Sequence, residues 1–356
     1  MITTEVPFKS SDNTTLYRLC FKSNNESNLK PKAIFHIVHG MAEHSKRYER
    51  LAGELVKCGF IVYADDHRGH GETALRYQNQ PLGVAISEKQ RRLNALTPEV
   101  DPLYNKYLAN GFERIILDMK EMVSEEKSLH GEEVPYIMLG HSMGSVIAHI
   151  FAGRYGNMLD ALVLSGVVAR PNILIAGGAP YLLSAIRLSL GYDTTSSIIH
   201  TITVGSYPGQ LQYTEEEIMK HKDGSLKKSE NDWLSRDRDE VDKYDKDHLC
   251  GFQCSIGFYV DFLPCLFALK DSATAMKNYP KCLPCLIMYG EKDPCGEFGY
   301  ATEQILGEFK VAGIPAPSVT KYEGARHEIF NEVNRDEVTN DLIQWCKEVV
   351  LTGSKL

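Results

Sequence analysis

The chain has 356 residues, 43% of them hydrophobic and 24% charged, which is ordinary for a globular protein whose core is large enough to need no disulfides. Its formal net charge of −8 comes without any basic tract to neutralise phosphates, so no nucleic-acid partner is expected. No basic-then-apolar leader opens the sequence and no apolar run reaches about 18 residues, so neither export nor a membrane span is expected, and a cytoplasmic setting with nine reduced cysteines is.

In chain order, Thr15–Phe21 alternates in polarity and predicts an antiparallel edge pair. Apolar runs that read as buried parallel strands follow at Ala33–Val38, Ile61–Ala64, Tyr136–Leu139, Ala161–Val168 and Leu283–Tyr289. Helical patterns stand between them at Tyr48–Cys58, Phe112–Leu129 and Ser145–Tyr155. A last helix is expected over Asn334–Val350, with Val338, Leu342, Ile343, Trp345 and Cys346 on its apolar face. Strand–helix alternation of this kind predicts an α/β fold, a mostly parallel sheet with helices on both faces. No internal repeat is visible.

Two segments break the rhythm. Thr73–Asn110 is a polar insertion where a crossover needs only a few residues, and Ala169–Asn278 is a long excursion between two strands. Both leave the sheet at its carboxyl edge, where open α/β sheets bind ligands. Residues 1–168 and 279–356 are therefore expected to form one body and residues 169–278 a cap. The apolar stretch Ile173–Gly191 either packs on that body or lines an apolar channel and touches a lipid surface.

Gly140-His141-Ser142-Met143-Gly144 reads G-x-S-x-G between a predicted strand and a predicted helix, the context that gives this motif its meaning. The turn would raise Ser142 above the sheet edge, with the helix N-terminus directed at any oxyanion formed there. A serine hydroxyl needs a base, and the base needs a carboxylate to orient it, in the chain order Ser, Asp or Glu, His. His327, in "GARHEIFNE", is the only histidine after His248. "LIMYGEKDP" offers Glu291 and Asp293, and Asp293 is preferred because Pro294 biases it toward an extended or turn conformation. Backbone donors to the oxyanion are expected from the N–H groups of Met143 and Met41, the latter in "HGMAEH", braced by Glu43 and His44. "DDHRGHGET" (Asp65–Thr73) reads as a hydrogen-bonded scaffold under that loop and lacks the histidine pair of a zinc protease. Cys282 and Cys285 form a CxxC with no second pair at a zinc spacing.

Taken together, "HGMAEHSKRY", "DDHRGHGET", "LGHSMGS", "YGEKDP" and "GARHEIFNE" resemble the α/β-hydrolase superfamily in its lysophospholipase and monoacylglycerol lipase branch, also labelled serine aminopeptidase-like. "NDWLSRD" and "DHLCGF" resemble the cap of bacterial lysophospholipase-like members, and the likeness runs from about Thr3 to Val350. The resemblance implies a catalytic triad of Ser142, Asp293 and His327, oxyanion donors at Met41 and Met143, and no cofactor or metal. The apolar stretch of the excursion favours an ester with an acyl chain, such as a monoacylglycerol or lysophospholipid, and a small aromatic or short-chain ester is the alternative if the 73–110 insertion narrows the channel. His248 stands where proline is more usual, and Cys295 follows the acid where an aliphatic residue is common, which predicts sensitivity to thiol reagents. Three readings follow: a carboxylester hydrolase, a peptidase holding an ammonium with Glu215–Glu217 or Asp237–Glu240, and a binding protein on the same scaffold. The sequence leaves oligomeric state open, and predicts at most a transient contact of the cap with a membrane surface.

Overall fold

The computed structural model describes residues 1–24, 30–84, 110–170, 190–270, 276 and 278–351. Eight strands form one sheet, with the order β1 (Ile2–Glu5), β4 (Arg18–Lys22), β6 (Phe60–Asp65), β5 (Ala33–Val38), β7 (Tyr136–His141), β8 (Ala161–Ser165), β9 (Cys285–Gly290) and β10 (Ser318–Tyr322). From β6 to β10 every pairing is parallel, while β1 and β4 join antiparallel at one edge. Two short strands, β2 (Phe8–Lys9) and β3 (Thr15–Leu16), form a separate hairpin, so the predicted Thr15–Phe21 edge strand is split at Tyr17. The predicted strand over Ala161–Val168 ends at Ser165, the last residue paired with β9, and Ala169 then donates its N–H to the Cys295 carbonyl.

Burial on both faces explains the unbroken apolar runs. Along β5, Ile34 and Val38 enter one core while Ala33, Phe35 and Ile37 enter the other. Tyr136 and Met138 against Ile137 and Leu139 repeat the alternation on β7, as the two-residue period of a strand requires. One face is covered by α1 (Glu49–Lys57) and α9 (Arg335–Cys346), the latter through Val338, Leu342, Ile343 and Cys346. The other is covered by α2 (Asn110–His130), α3 (Met143–Tyr155), α7 (Ile256–Lys270) and α8 (Tyr300–Ala312).

Because the central strands run parallel, the segments that follow β5, β7, β8, β9 and β10 emerge at the same edge. Between β8 and β9 the described residues include α4 (Ser197–Ile202), α5 (Glu215–Lys222) and α6 (Arg238–Lys246) before α7. Helix α7 belongs to the core of the body, since Phe258 and Phe262 pack on Phe112 with ring centroids 5.8 and 5.2 Å apart. Most of the predicted 73–110 insertion and of the apolar 173–191 stretch lies outside the described residues. No helix among the described residues is long and apolar enough to cross a membrane.

Candidate active site

Between β7 and α3, Ser142 adopts φ 54° and ψ −122°, a left-handed φ that an L-residue holds only when its surroundings force it. The two flanking glycines are required by close approach. A Cβ on Gly144 would stand 2.0 Å from the Val38 carbonyl oxygen, and one on Gly140 would stand 2.2 Å from that of Gly144. The end of β5 is thereby pressed against the turn, and a Cβ on Gly40 would lie 3.0 Å from the Ser142 Cβ. Ser142 donates its backbone N–H to the Ser165 carbonyl at 2.9 Å, fixing the turn to the next strand.

His327, in the loop after β10, is buried, and its Nδ1 lies 2.9 Å from Asp293 Oδ2. The other oxygen of Asp293 accepts the Cys295 backbone N–H at 2.9 Å, a local turn that aims the carboxylate. Nε2 of His327 is buried without a hydrogen-bond partner among the described residues. The imidazole is flanked by His141 and Trp233, with ring centroids 4.8 and 4.9 Å away. Burial acts to lower the pKa of His327, but the charge and hydrogen bond of Asp293 outweigh it and the net shift is upward. His141 is pushed down to about 4 by burial and by His327 beside it, so it is neutral there.

A cavity of about 410 Å³ contains Ser142, Met41, Met143 and His327 in its lining, a volume usual for small-molecule sites. Val168, Val204, Tyr207, Trp233, Phe252 and Phe262 contribute apolar walls, and Glu43, His200, Glu230 and Asn231 contribute polar ones. All five site residues named from the sequence thus meet at one edge of the sheet. Glu291, the alternative acid, accepts the Gly324 backbone N–H instead and is not part of the cavity.

The loop bearing Met41 is held on several sides. Glu43 accepts the Gly40 N–H at 2.6 Å and the Tyr48 hydroxyl at 2.9 Å. The Ala42 carbonyl accepts the Gly251 N–H at 2.9 Å and the Tyr244 hydroxyl at 3.0 Å. Below it, Asp66 accepts the Ser45 and Glu72 N–H groups and the His67 N–H donates to His39 Nε2, the scaffold expected of Asp65–Thr73. Sequence reasoning missed Arg47, which bridges Glu43 at 2.8 Å and Glu328 at 2.5 and 2.7 Å and so ties this loop to that of His327. A charged residue next to a candidate base was the one available signal; a partner 281 residues away leaves none.

Cys295 lines the same cavity. Its thiol is buried beside the Ser142 and Tyr207 hydroxyls, and burial together with the Asp293 carboxylate pushes its pKa up. The reactive species is the thiolate, so this shift works against the expected sensitivity to thiol reagents. None of the acidic residues weighed for a peptidase, Glu215–Glu217 and Asp237–Glu240, lines the cavity. Glu217 caps α5 and bonds Arg326, and Asp237 caps α6 and bonds Arg335.

A strained serine at a strand–helix turn, on the carboxyl edge of a mostly parallel sheet, defines an α/β-hydrolase. The family described as "Serine aminopeptidase, S33" matches residues 29–334, and the chain belongs to it; it is a serine hydrolase of the lipase and esterase kind. It is 27% identical over 316 residues to a monoglyceride lipase homolog of Monkeypox virus, covering 88% of this chain and 87% of that one. To the monoglyceride lipase of Rattus norvegicus it is 26% identical over 319 residues, with 88% and 80% covered. A solved structure titled "Lipase (Open form)" superposes with a TM-score of 0.75 at 24% identity over 98% of this chain and 99% of that one, a likeness of fold.

Proposed function

We propose that the protein hydrolyses lipid-like monoesters, monoacylglycerols or lysophospholipids, through a Ser142–Asp293–His327 triad and an acyl-enzyme. The observation that carries this reading is the buried His327–Asp293 pair, 2.9 Å apart, whose histidine shares a cavity lining with the strained Ser142. Ser142 attacks the acyl carbon while His327 Nε2 takes its proton, and Asp293 stabilises the imidazolium through Nδ1. The N–H groups of Met41 and Met143 bind the oxyanion, each worth about 2.7–4 kcal/mol of barrier. His327 returns the proton to the departing alcohol, then activates a water that releases the acid.

The relatives are named as monoglyceride lipases, and the apolar walls suit an acyl chain. The described part of the 169–278 excursion ahead of α7 acts as a cap, and it sets Trp233 against His327. On α4, Ile198 and Ile202 are 75% and 69% exposed one turn apart, while His200 and Thr201 of the same helix line the cavity. That apolar face at the rim supports a transient contact with a membrane surface. Two experiments test the reading. A fluorophosphonate should label the wild type and not Ser142→Ala; labelling that survives the substitution means another nucleophile. Turnover of p-nitrophenyl esters graded by chain length, without turnover of aminoacyl anilides, is expected; the reverse preference would replace the lipid reading with a peptidase.

A further inference from the structure

Outside the proposed triad, one group of side chains has the chemistry of a transition-metal site. His44, Asp247 and Cys250 each bring one ligand atom to within 4.8 Å of the other two. They come from two distant segments, the loop after β5 and the turn that follows α6. That turn is closed by the Cys250 N–H on the Asp247 carbonyl at 3.0 Å, which folds the thiol back beside the carboxylate. Asp247 Oδ2 lies 2.9 Å from His44 Nε2, close to the roughly 3.3 Å between two ligand atoms on one tetrahedral zinc with bonds near 2.0 Å. Access exists on one side only. His44 and Cys250 are buried, whereas the Asp247 side chain keeps 33% of its exposure and His248 next to it keeps 82%.

We infer that His44, Asp247 and Cys250 form a binding site for a zinc-like divalent ion that clamps the cap to the loop bearing Met41. Nitrogen, oxygen and sulfur donors suit Zn²⁺ and disfavour Mg²⁺ or Ca²⁺. Water or the exposed His248 completes four ligands. Binding passes the thiol proton to solvent, and the carboxylate and thiolate then balance the two charges of the ion. The ion would reinforce a junction already marked by Gly251 and Tyr244 on the Ala42 carbonyl. It takes no part in the hydrolytic step.

Cobalt(II) titrated into the full-length, chelator-treated protein tests this, because its spectrum reports its ligands. One equivalent should give tetrahedral visible bands and a near-ultraviolet sulfur-to-cobalt band, both abolished by Zn²⁺. Cys250→Ser should remove the sulfur band, and Asp247→Asn should weaken binding by more than the about 10–100-fold that loss of an outer-shell partner costs. Circular dichroism of each variant separates loss of ligand from loss of fold. Asp293, Cys295 and His327 form the other such cluster among the described residues, so Cys295→Ala is the control and should keep the band. No sulfur band in the wild type, a band that survives Cys250→Ser, or one lost with Cys295→Ala overturns the proposal. The spectrum is read without substrate and should persist in Ser142→Ala, so it stands or falls apart from the hydrolase reading.

Discussion

His327 is asked to do two things that its surroundings set against each other. As a base it must be neutral, yet Asp293 holds its pKa above the ordinary 6.5. The acid limb of kcat/KM is therefore expected above pH 6.5. Asp293→Asn removes the largest raising influence and leaves burial against Glu328 and Glu43 alone, so the limb should move to lower pH while turnover falls by up to about 10⁴-fold; a pH–rate profile of both proteins reads it. Stability runs the other way. A raised folded pKa contributes stability that is complete below the unfolded value and is lost as pH rises through the folded one. The pair thus stabilises the fold most where the base is inactive.

Gly144 and Gly307 give opposite predictions for one chemical change. On Gly144 a methyl would collide with backbone oxygens of Val38 and His39 at 2.0 and 2.6 Å. Neither can yield without moving the Met41 loop, so Gly144→Ala should lose at least about 1–3 kcal/mol and most of the turnover. On Gly307, exposed in α8, a methyl meets nothing within 4 Å, and Gly307→Ala should gain about 0.5–1 kcal/mol. Urea unfolding with an ester assay distinguishes the two, and equal effects would contradict the packing described.

The strands of the body were legible because burial on both faces writes apolar runs into β5, β7, β8 and β9, and because parallel order brings their carboxyl ends together. Ser142 and Asp293 could be named since each stands just past such a strand, and His327 since no other histidine follows His248. The connections between elements were not legible. Glu43 was legible as a brace of its loop, but nothing in the sequence joins it to Arg47 and Glu328 in a buried ion pair network, and α7 looked like part of the 169–278 excursion although its aromatic face completes the body. Pairing across 281 residues follows from packing and leaves no periodicity. The network can be tested as a unit. Burial acts to raise the Glu328 pKa, but Arg47 outweighs it and brings it to about 2 from 4.5. A depressed carboxyl stabilises above its unfolded pKa and loses that as pH falls through the folded one. Arg47→Met leaves two buried carboxylates unpaired and should lose about 3–5 kcal/mol at neutral pH. Its stability should also no longer show the wild-type decline between pH 4.5 and 2. Denaturant unfolding against pH measures both effects.

Beneath the site, a second polar network joins β4, β5, β6, β7 and α2 through the middle of the molecule. His36 contacts Asp65 at 3.1 Å and Glu126 at 3.0 Å, while Arg18 reaches Glu126 at 2.9 Å and the Tyr136 hydroxyl donates to it at 2.6 Å. Isolated charges at this depth would be untenable, so the charged form survives only as a set. Burial acts to lower the pKa of His36, yet Glu126 and Asp65 outweigh it and raise it to about 9. Asp65, buried too, is held far below 3.8 by His67 and His36. The signs bound a window. The His36 contribution is complete below pH 6.5 and is lost as pH rises through about 9, whereas that of Asp65 is present above pH 3.8. These two contributions are therefore complete together between about pH 4 and 6.5, whereas His39, His70, His141 and His149, buried and held neutral, lose theirs as pH falls through the same range. A carboxylate beside a histidine stabilises its cation, which strengthens the core at His36 and opposes the base at His327. His36→Gln should flatten the alkaline decline of the unfolding free energy between pH 6.5 and 9, a loss on the order of 3 kcal/mol in the wild type. It should leave the acid limb of the ester assay unchanged, because His36 lies outside the cavity of Ser142. An alkaline decline undiminished in this variant would assign the stability to another group.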